Sequence, residues 1–118
     1  MTNNLHLDIW EAYSASWSEQ NKKIRKEILN KILVSDCNYT DPNIDVVGIN
    51  NLLNYMSEFQ NGFPGARFVV TDFKVHHDQS LAHWNMVDGN GTILSKGAIF
   101  GIYKNAQLTK MTGFFWEV

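Results

Sequence analysis

The sequence has little cysteine, no excess of basic residues and no long apolar run, and each scarcity excludes a class of protein. Cys37 is the only cysteine, so an internal disulfide cannot form and a reducing compartment is favoured. The net charge is −2 and the isoelectric point is about 6.0, so no positive field attracts nucleic-acid phosphates. No segment approaches membrane-spanning length, and the first residues do not resemble a secretion signal. We therefore expect a cytoplasmic protein without a nucleic-acid or membrane partner.

Aromatic residues are abundant instead, with four Trp, four Tyr and seven Phe making up 13% of the chain. We predict a single domain over residues 1–118, which is enough chain to bury a core without disulfides. So many rings indicate a bulky core, an aromatic-lined cavity, an apolar interface, or a mixture of these.

Apolar residues at helical spacing predict two helices at the start of the chain. Asn3 or Asn4 would cap the first helix, and Asn21 would begin the second, which ends at Ser35-Asp36. We interpret the second helix as amphipathic, with a solvated basic face, rather than as a nucleic-acid patch. Its basic face comprises Lys22, Lys23, Arg25, Lys26 and Lys31, and its apolar face Ile24, Ile28, Leu29, Ile32 and Leu33.

A short extended segment and a third helix follow. Cys37–Thr40 runs into a bend at Asp41-Pro42-Asn43, because proline disfavours helical geometry in the residue before it. Asn50 would cap the third helix, and Asn61-Gly62 would stop it.

The second half of the chain predicts four strands, because β-branched and aromatic residues replace the helical spacing. The strands are joined by hairpin-length turns, so we expect an antiparallel meander. Gly97 and Gly101 mark bulges or close packing in the third of these strands. The predicted strands are Arg67–His76, Leu81–Val87, Ile93–Tyr103 and Leu108–Trp116, and the turns are Asp78-Gln79-Ser80, Asp88-Gly89-Asn90-Gly91 and Lys104-Asn105-Ala106.

Helices followed by strands predict an α+β protein with the helices packed on one side of the sheet. Several strands carry apolar residues on both faces, so the outer sheet face is too apolar to be left exposed. We expect a homodimer to cover this outer face.

The order of these elements, together with several short motifs, resembles the nuclear transport factor 2-like superfamily in its SnoaL-like branch. The motifs are Trp10-x-x-Tyr13-x-x-x-Trp17, Tyr39-Thr40-Asp41-Pro42, Gly48 before the third helix, Phe63-Pro64-Gly65-Ala66-Arg67-Phe68, His77, Trp84, Asp88-Gly89 and Thr112-Gly113-Phe114. The resemblance implies a cone-shaped curved sheet closed by three helices, also described as a cystatin-like α+β barrel, with a pocket inside it. The superfamily includes isomerases, cyclases, dehydratases, hydrolases and binding proteins, so the fold alone does not identify the function.

Asp41 is the main candidate for a catalytic residue. In ketosteroid isomerase, a relative in this superfamily, the Asp of a matching Asp-Pro pair is the general base. By that resemblance Asp41 would face the cone, where partial desolvation would strengthen it as a base. The alternative is that Asp41-Pro42-Asn43 is only a turn, with the carboxylate bonded to backbone N–H groups.

The sequence departs from ketosteroid isomerase at both oxyanion-binding positions. Trp17 stands at the position of the donor tyrosine, and the late aspartate position falls at about Ile99. An indole N–H can donate one hydrogen bond, but Ile99 can donate none. Loss of one such donor costs about 2.7–4 kcal/mol, so we expect a poor steroid isomerase.

Histidine and cysteine supply weaker candidates. His83 is a candidate acid–base partner of Asp41, although it alternates with Trp84 and only one of the two can face the pocket. No spacing among the histidines enforces metal binding, and Cys37 has no neighbour that would activate it. We therefore expect no metal and no cofactor.

Two functions remain open at this point. One is a domain that binds a small, mainly apolar organic ligand, with Asp41 as the base for isomerase-, cyclase- or dehydratase-type proton transfer. The other is a non-catalytic ligand-binding or dimerisation module, and a nuclear transport role with a GTPase partner has weak support. The predicted ligand-binding residues are Trp10, Tyr13, Trp17, Tyr39, Tyr55, Phe59, Trp84, Met86, Ile99 and Phe115.

Overall fold

The structure, a computed structural model, describes the backbone of residues 2–117 and the side chains of residues 5–116. Its elements are α1 (Thr2–Ser16), α2 (Lys22–Ile32), β1 (Leu33–Asp41), β2 (Ile44–Val47), α3 (Ile49–Gly62), β3 (Arg67–His76), β4 (Gln79–Val87), β5 (Ile93–Lys104) and β6 (Gln107–Glu117). The α+β class with three helices is confirmed. In the described part of the chain no helix is both long and apolar enough to cross a membrane.

The helix boundaries have local causes, and several of them differ from prediction. Asn21 caps α2 by accepting the backbone N–H of Ile24 at 3.0 Å, as expected. The chain becomes extended at Leu33, so α2 ends earlier than the predicted Ser35-Asp36. Gly48, with a φ of +94°, begins α3 in place of the predicted cap Asn50, because this conformation favours glycine. The cap predicted at Asn3 or Asn4 lies outside the residues whose side chains are described.

The basic face of α2 is not wholly solvated, because Arg25 is only 1% exposed. Its guanidinium donates to the Glu19 carbonyl at 3.0 Å, the Ser57 hydroxyl at 3.1 Å and the Gln60 side-chain oxygen at 3.3 Å. These acceptors satisfy the buried donors and connect α2 to α3. Ile24, which was predicted to lie on the apolar face of α2, is 43% exposed instead.

The six strands form one curved, unclosed sheet in the order β2-β1-β6-β5-β4-β3. Neighbours are antiparallel except β1 and β6, which pair in parallel. The antiparallel prediction is therefore confirmed for β3 to β6 and wrong for the β1–β6 pair. A parallel pair requires a long connection, which here runs through β2, α3 and three further strands.

Two-residue turns join β3 to β4 and β5 to β6, and the first of these turns lies slightly earlier than predicted. His77 and Asp78 have φ values of 49° and 57°, and Asn105 and Ala106 have values of 52° and 63°. Positive φ at both central residues is typical of type I′ turns, whose twist matches the flanking strands. Register shifts at four positions bend the sheet around the helices.

Candidate functional site

A cavity of about 930 Å³ lies between the inner face of the sheet and the helices. Eleven of its 21 lining residues are aromatic, and all four tryptophans of the chain are among them. The lining residues are Trp10, Tyr13, Ser14, Trp17, Tyr39, Asp41, Asn43, Tyr55, Glu58, Phe59, Phe63, Phe68, Val70, Trp84, Met86, Leu94, Ser95, Ile99, Gly113, Phe115 and Trp116.

Trp17, just after α1, packs against rings from three other elements. Its ring centroid lies 5.6 Å from those of Tyr39 and Phe59, 5.7 Å from that of Phe68 and 5.8 Å from that of Tyr55. These tilted and edge-to-face contacts are the arrangements that aromatic quadrupoles prefer. Trp17 is 6% exposed, so one wall of the cavity is a fixed aromatic cluster rather than a set of mobile side chains.

Trp84 on β4 forms the facing wall, and Gly97 on β5 makes room for it. A Cβ atom at Gly97 would lie 2.2 Å from the Trp84 indole and 2.5 Å from the Phe114 carbonyl oxygen. The indole packs edge-to-face on Phe68 at 4.9 Å. The close packing predicted at Gly97 is therefore observed, and Trp84 faces the cavity.

Asp41 occupies the end of β1, where both its oxygens accept hydrogen bonds. Oδ1 accepts the backbone N–H groups of Asn43 at 2.8 Å and Ile44 at 3.1 Å, which makes it part of the hairpin turn. Oδ2 accepts the hydroxyls of Tyr39 at 2.7 Å and Tyr55 at 2.9 Å, and the residue lines the cavity. Asp41 therefore belongs to the turn through Oδ1 and also lines the pocket, so both predicted positions are observed, and its role as a general base stays a prediction.

The two tyrosines bonded to Asp41 are held in their neutral form. Burial raises the pKa of Tyr39 well above its usual value, and the nearby Tyr13 and Asp41 add to this effect. Burial also raises the pKa of Tyr55 to about 12, and its hydrogen bond to Asp41 acts in the same direction. Each tyrosine therefore stays protonated and donates a hydrogen bond to the carboxylate.

Tyr13 on α1 is the exception among the polar groups of the cavity. It is 1% exposed, and its hydroxyl has no hydrogen-bond partner in the part of the chain that the structure describes. Burial raises the pKa of Tyr13 well above its usual value, and the nearby Trp17 indole offsets part of this increase. The indole and the hydroxyl do not have the geometry of a hydrogen bond. A buried hydroxyl without a partner costs about 1–3 kcal/mol, so a ligand that bonds to it would regain that energy.

His83 does not line the cavity, and its predicted role beside Asp41 is wrong on position. Adjacent strand residues point to opposite faces, so Trp84 faces inward and His83 faces the outer side of the sheet. Its Nδ1 lies 3.8 Å from Asp72 on β3, too far for a hydrogen bond. The nearest ion pair of Asp72 is Lys74 at 2.7 Å, and this contact lowers the pKa of Asp72.

All ten predicted ligand-binding residues line the cavity, but another ten lining residues were not predicted. Trp17 and Ile99, the replacements for the usual oxyanion donors, are both among the lining residues. Ile99 therefore presents an aliphatic side chain to the cavity, which offers an oxyanion no hydrogen-bond donor. The residues missed were Ser14, Asn43, Glu58, Phe63, Phe68, Val70, Leu94, Ser95, Gly113 and Trp116.

Other reactive groups lie apart from the cavity. Cys37 is 1% exposed, and burial together with the Asp36 charge raises the pKa of its thiol. Over the described residues, no group of three or more His, Cys, Asp or Glu side chains is placed to hold a metal ion.

Solved structures share this architecture over nearly the whole chain. A candidate isomerase of the SnoaL-like family from Agrobacterium tumefaciens has a TM-score of 0.89 at 21% identity, covering 96% of this chain and 98% of that one. A SnoaL-like candidate polyketide cyclase from Jannaschia sp. CCS1 has a TM-score of 0.80 at 13% identity, covering 95% and 85%. A ketosteroid isomerase-like fold protein from Catenulispora acidiphila, in complex with trimethylamine, has a TM-score of 0.75 at 13% identity, covering 93% and 85%.

No family model and no curated protein sequence matches the chain. Sequence identities this low establish the shared architecture and nothing more specific. The chain has the nuclear transport factor 2-like fold, in the form found in SnoaL-like and ketosteroid isomerase-like proteins, so the resemblance predicted from its motifs is confirmed.

Proposed function

We propose that the protein binds a small, mainly apolar organic molecule in the aromatic cavity. The observation that carries this proposal is a cavity of about 930 Å³ with one buried, unpartnered hydroxyl, Tyr13. Cavities that bind small organic ligands are typically about 300–1,000 Å³, largely apolar, with a few polar groups that orient the ligand.

Neighbouring structures support a ligand-binding role. Two of them are described as a candidate isomerase and a candidate polyketide cyclase, which act on organic molecules. The Catenulispora acidiphila protein was solved in complex with trimethylamine. The fold thus accommodates small organic molecules in proteins whose sequences differ widely from this one.

A neutral dye and two neighbouring variants test this proposal. N-phenyl-1-naphthylamine, which fluoresces in apolar surroundings, should bind the native protein. Val70→Trp should fill the cavity, because Val70 lines it, and abolish the signal. The control Thr71→Trp adds the same ring to an exposed residue that does not line the cavity, and should keep the signal. Equal binding by both variants would place the dye outside the cavity and remove the proposal.

Proton transfer by Asp41 is the second candidate function. Its support is the position of the carboxylate on the cavity wall beside Tyr55. The two hydroxyls and two backbone N–H groups already bonded to Asp41 weaken this candidate, since a new proton must displace one of them.

Exchange of an acidic C–H proton tests catalysis without knowledge of the substrate. 2-Tetralone in deuterated buffer should exchange its protons next to the carbonyl faster with the native protein than without it. Asp41→Asn should abolish this acceleration, whereas Asp45→Asn, an exposed acid that does not line the cavity, should not. Exchange that survives in Asp41→Asn would end the catalytic assignment.

A second copy of the chain is the partner we propose for the outer sheet face. Apolar side chains from four neighbouring strands are exposed there, with Phe114 at 61%, Val69 at 39%, and Leu81 and Ile102 at 37%. Several exposed large apolar side chains on one sheet face are typical of an interface. Light scattering at micromolar concentration should give the mass of a dimer, and Phe114→Lys should give that of a monomer.

The cytoplasm remains the location we propose, on the basis of one observation. The buried Cys37 thiol is free and has no cysteine partner in the sequence. Retention of the protein in the cytoplasmic fraction of cells would test this.

A further inference from the structure

The charged side chains that line the cavity all have the same sign. Asp41 and Glu58 are the only carboxylic acids among them, and no Lys, Arg or His belongs to the lining among the residues the structure describes. Asp41 is half-buried among aromatic side chains, so solvent screens its charge only partly, whereas Glu58 is exposed and its charge is screened more strongly. The carboxylates of the wall therefore favour a positively charged guest over an anion.

The aromatic faces act in the same direction. The face of an aromatic ring is electron-rich, and a cation within about 6 Å of the ring centroid is attracted to it. Trp17, Tyr39 and Tyr55 pack against one another with ring centroids 5.6–5.8 Å apart, and all three line the cavity together with Asp41. A cluster of rings beside one acid favours an ammonium group over an anion.

The two tyrosine hydroxyls bonded to Asp41 have no hydrogen left for an anionic guest. Tyr39 and Tyr55 both donate their single O–H to Oδ2 of Asp41. Each of these oxygens can therefore only accept a further hydrogen bond. A carboxylate or oxyanion would find no donor from either tyrosine, whereas an N–H⁺ group or polarised N-methyl groups would meet oxygen lone pairs.

We propose that the ligand is a cationic organic amine, in which a protonated or methylated ammonium group is attached to an apolar body. The ammonium group would lie against these rings near Asp41. It would contact the hydroxyl oxygens of Tyr39 and Tyr55, and the Asp41 carboxylate behind them would be its counter-ion. The apolar body would fill the remaining cavity, and Tyr13 would bond to a polar atom of it. This proposal rests on the proposed ligand-binding function and specifies its chemical class.

Three probes of nearly the same size and different charge test the proposal. They are phenyltrimethylammonium, its neutral carbon analogue tert-butylbenzene, and the anion benzenesulfonate. Binding is followed by intrinsic tryptophan fluorescence, because all four tryptophans line the cavity. The ammonium probe should bind roughly tenfold or more tighter than the neutral one, and the sulfonate should not bind.

The outcomes separate this proposal from the one on which it depends. Equal affinity for the ammonium probe and its neutral analogue would overturn the cationic ligand but leave apolar ligand binding intact. Preference for benzenesulfonate would also overturn it. Binding of none of the three probes, together with failure of the neutral dye to bind, would overturn both proposals.

Two charge-removing variants of the same type locate the effect. Glu58→Gln removes a negative charge at the cavity wall and should weaken ammonium binding about two- to threefold at low salt. Glu27→Gln removes the same charge from an exposed position of α2 outside the cavity and should change nothing. Equal effects of the two variants would show a general charge effect and count against the proposed ammonium site.

Asp41→Asn provides a readout that a purely structural role would not affect. The turn requires an oxygen acceptor, so the new amide nitrogen would face Tyr39 and Tyr55. Both hydroxyls would then accept from the amide and point their hydrogens elsewhere. Ammonium binding should fall at least tenfold and benzenesulfonate should begin to bind. Unchanged selectivity in a folded Asp41→Asn protein would overturn the assignment of Asp41 as counter-ion.

Discussion

The inner face of the sheet contains a packed region and a hollow one. In each region a glycine of β5 lies opposite a residue of β4. Gly101 on β5 lies opposite Ser80 on β4, and four residues earlier Gly97 lies opposite Trp84. At Gly101, the Ser80 hydroxyl, Leu108 and Trp10 all approach within 3.1 Å of the position of a Cβ. At Gly97 a single indole covers the glycine, and the space beyond it is the cavity.

The polar groups of the two regions differ in the same way. In the packed region Tyr103 is 4% exposed and its hydroxyl bonds to Ser80 at 2.9 Å. In the hollow region Tyr13 is also buried, but its hydroxyl has no hydrogen-bond partner among the described residues. The comparison teaches that the packed region satisfies its own polar groups, whereas the hollow region leaves one of them open, as the proposed ligand-binding function requires.

Gly97→Ala should have the largest effect, because it removes the distinction between the two regions. The new methyl group would overlap the Trp84 indole and the backbone carbonyl of Phe114, and the backbone cannot move aside. Overpacking of this kind costs about 1–3 kcal/mol or more, measurable by urea unfolding. Gly62→Ala is the control, since no atom lies within 4 Å of its added carbon. Equal stability of the two variants would contradict the packing described for Trp84.

A pair of Tyr→Phe variants should have opposite consequences in the two regions. Tyr103→Phe removes a buried hydrogen bond and leaves the Ser80 hydroxyl without it, so stability should fall by about 1–2 kcal/mol. Tyr13→Phe removes a buried hydroxyl that has no partner among the described residues, so the free protein should become more stable, by about 1–3 kcal/mol. Affinity for a ligand with a polar atom on its ring should fall only for Tyr13→Phe. Thermal unfolding with and without (3-hydroxyphenyl)trimethylammonium measures both effects, and similar losses of stability in the two variants would refute the contrast.

Alkaline pH tests the packed region through the titration of Tyr103. Burial raises the pKa of Tyr103 to about 12, above its usual value near 10, and the hydrogen bond from Ser80 partly opposes this. The unfolded chain therefore loses this proton first, and stability falls as pH rises from about 10 to 12. The contribution of one such group is about 1.4 kcal/mol per pH unit. The decline in unfolding free energy should be shallower in Tyr103→Phe than in the native protein; parallel declines would show that Tyr103 does not titrate in this range.

The hairpins of the sheet and about half of the cavity wall could be predicted from the sequence because their signals are local. Strand alternation predicts which residues share a face, such as Trp84 and Met86, and the turn residues predict the hairpins. The β1–β6 pairing could not be predicted this way, because it joins residues about seventy positions apart. The short strand β2 was missed, although partly buried Ile44 and Val46 alternate with exposed Asp45 and Val47.

The site was predicted less well than the wall, for a related reason. Asp41 and Tyr39 are two residues apart, so their association could be suspected from sequence, but Tyr55 reaches Asp41 from α3. The choice between His83 and Trp84 depended on which face of β4 is covered, and strand parity does not contain that information. Burial of Arg25 also depended on acceptors from α3 and the preceding loop that only the folded structure brings together.

The position of β6 has a consequence for how the chain assembles. β6 is the sixth strand along the chain but lies between β1 and β5 in the sheet, so it alone joins the β2-β1 hairpin to the three-stranded β5-β4-β3 unit. On a ribosome these two pieces would wait, unjoined, until residues 107–117 emerged. Until then Asp41 and Trp84, on opposite sides of the missing strand, could not enclose a common space. The cavity therefore cannot be complete before β6 is in place.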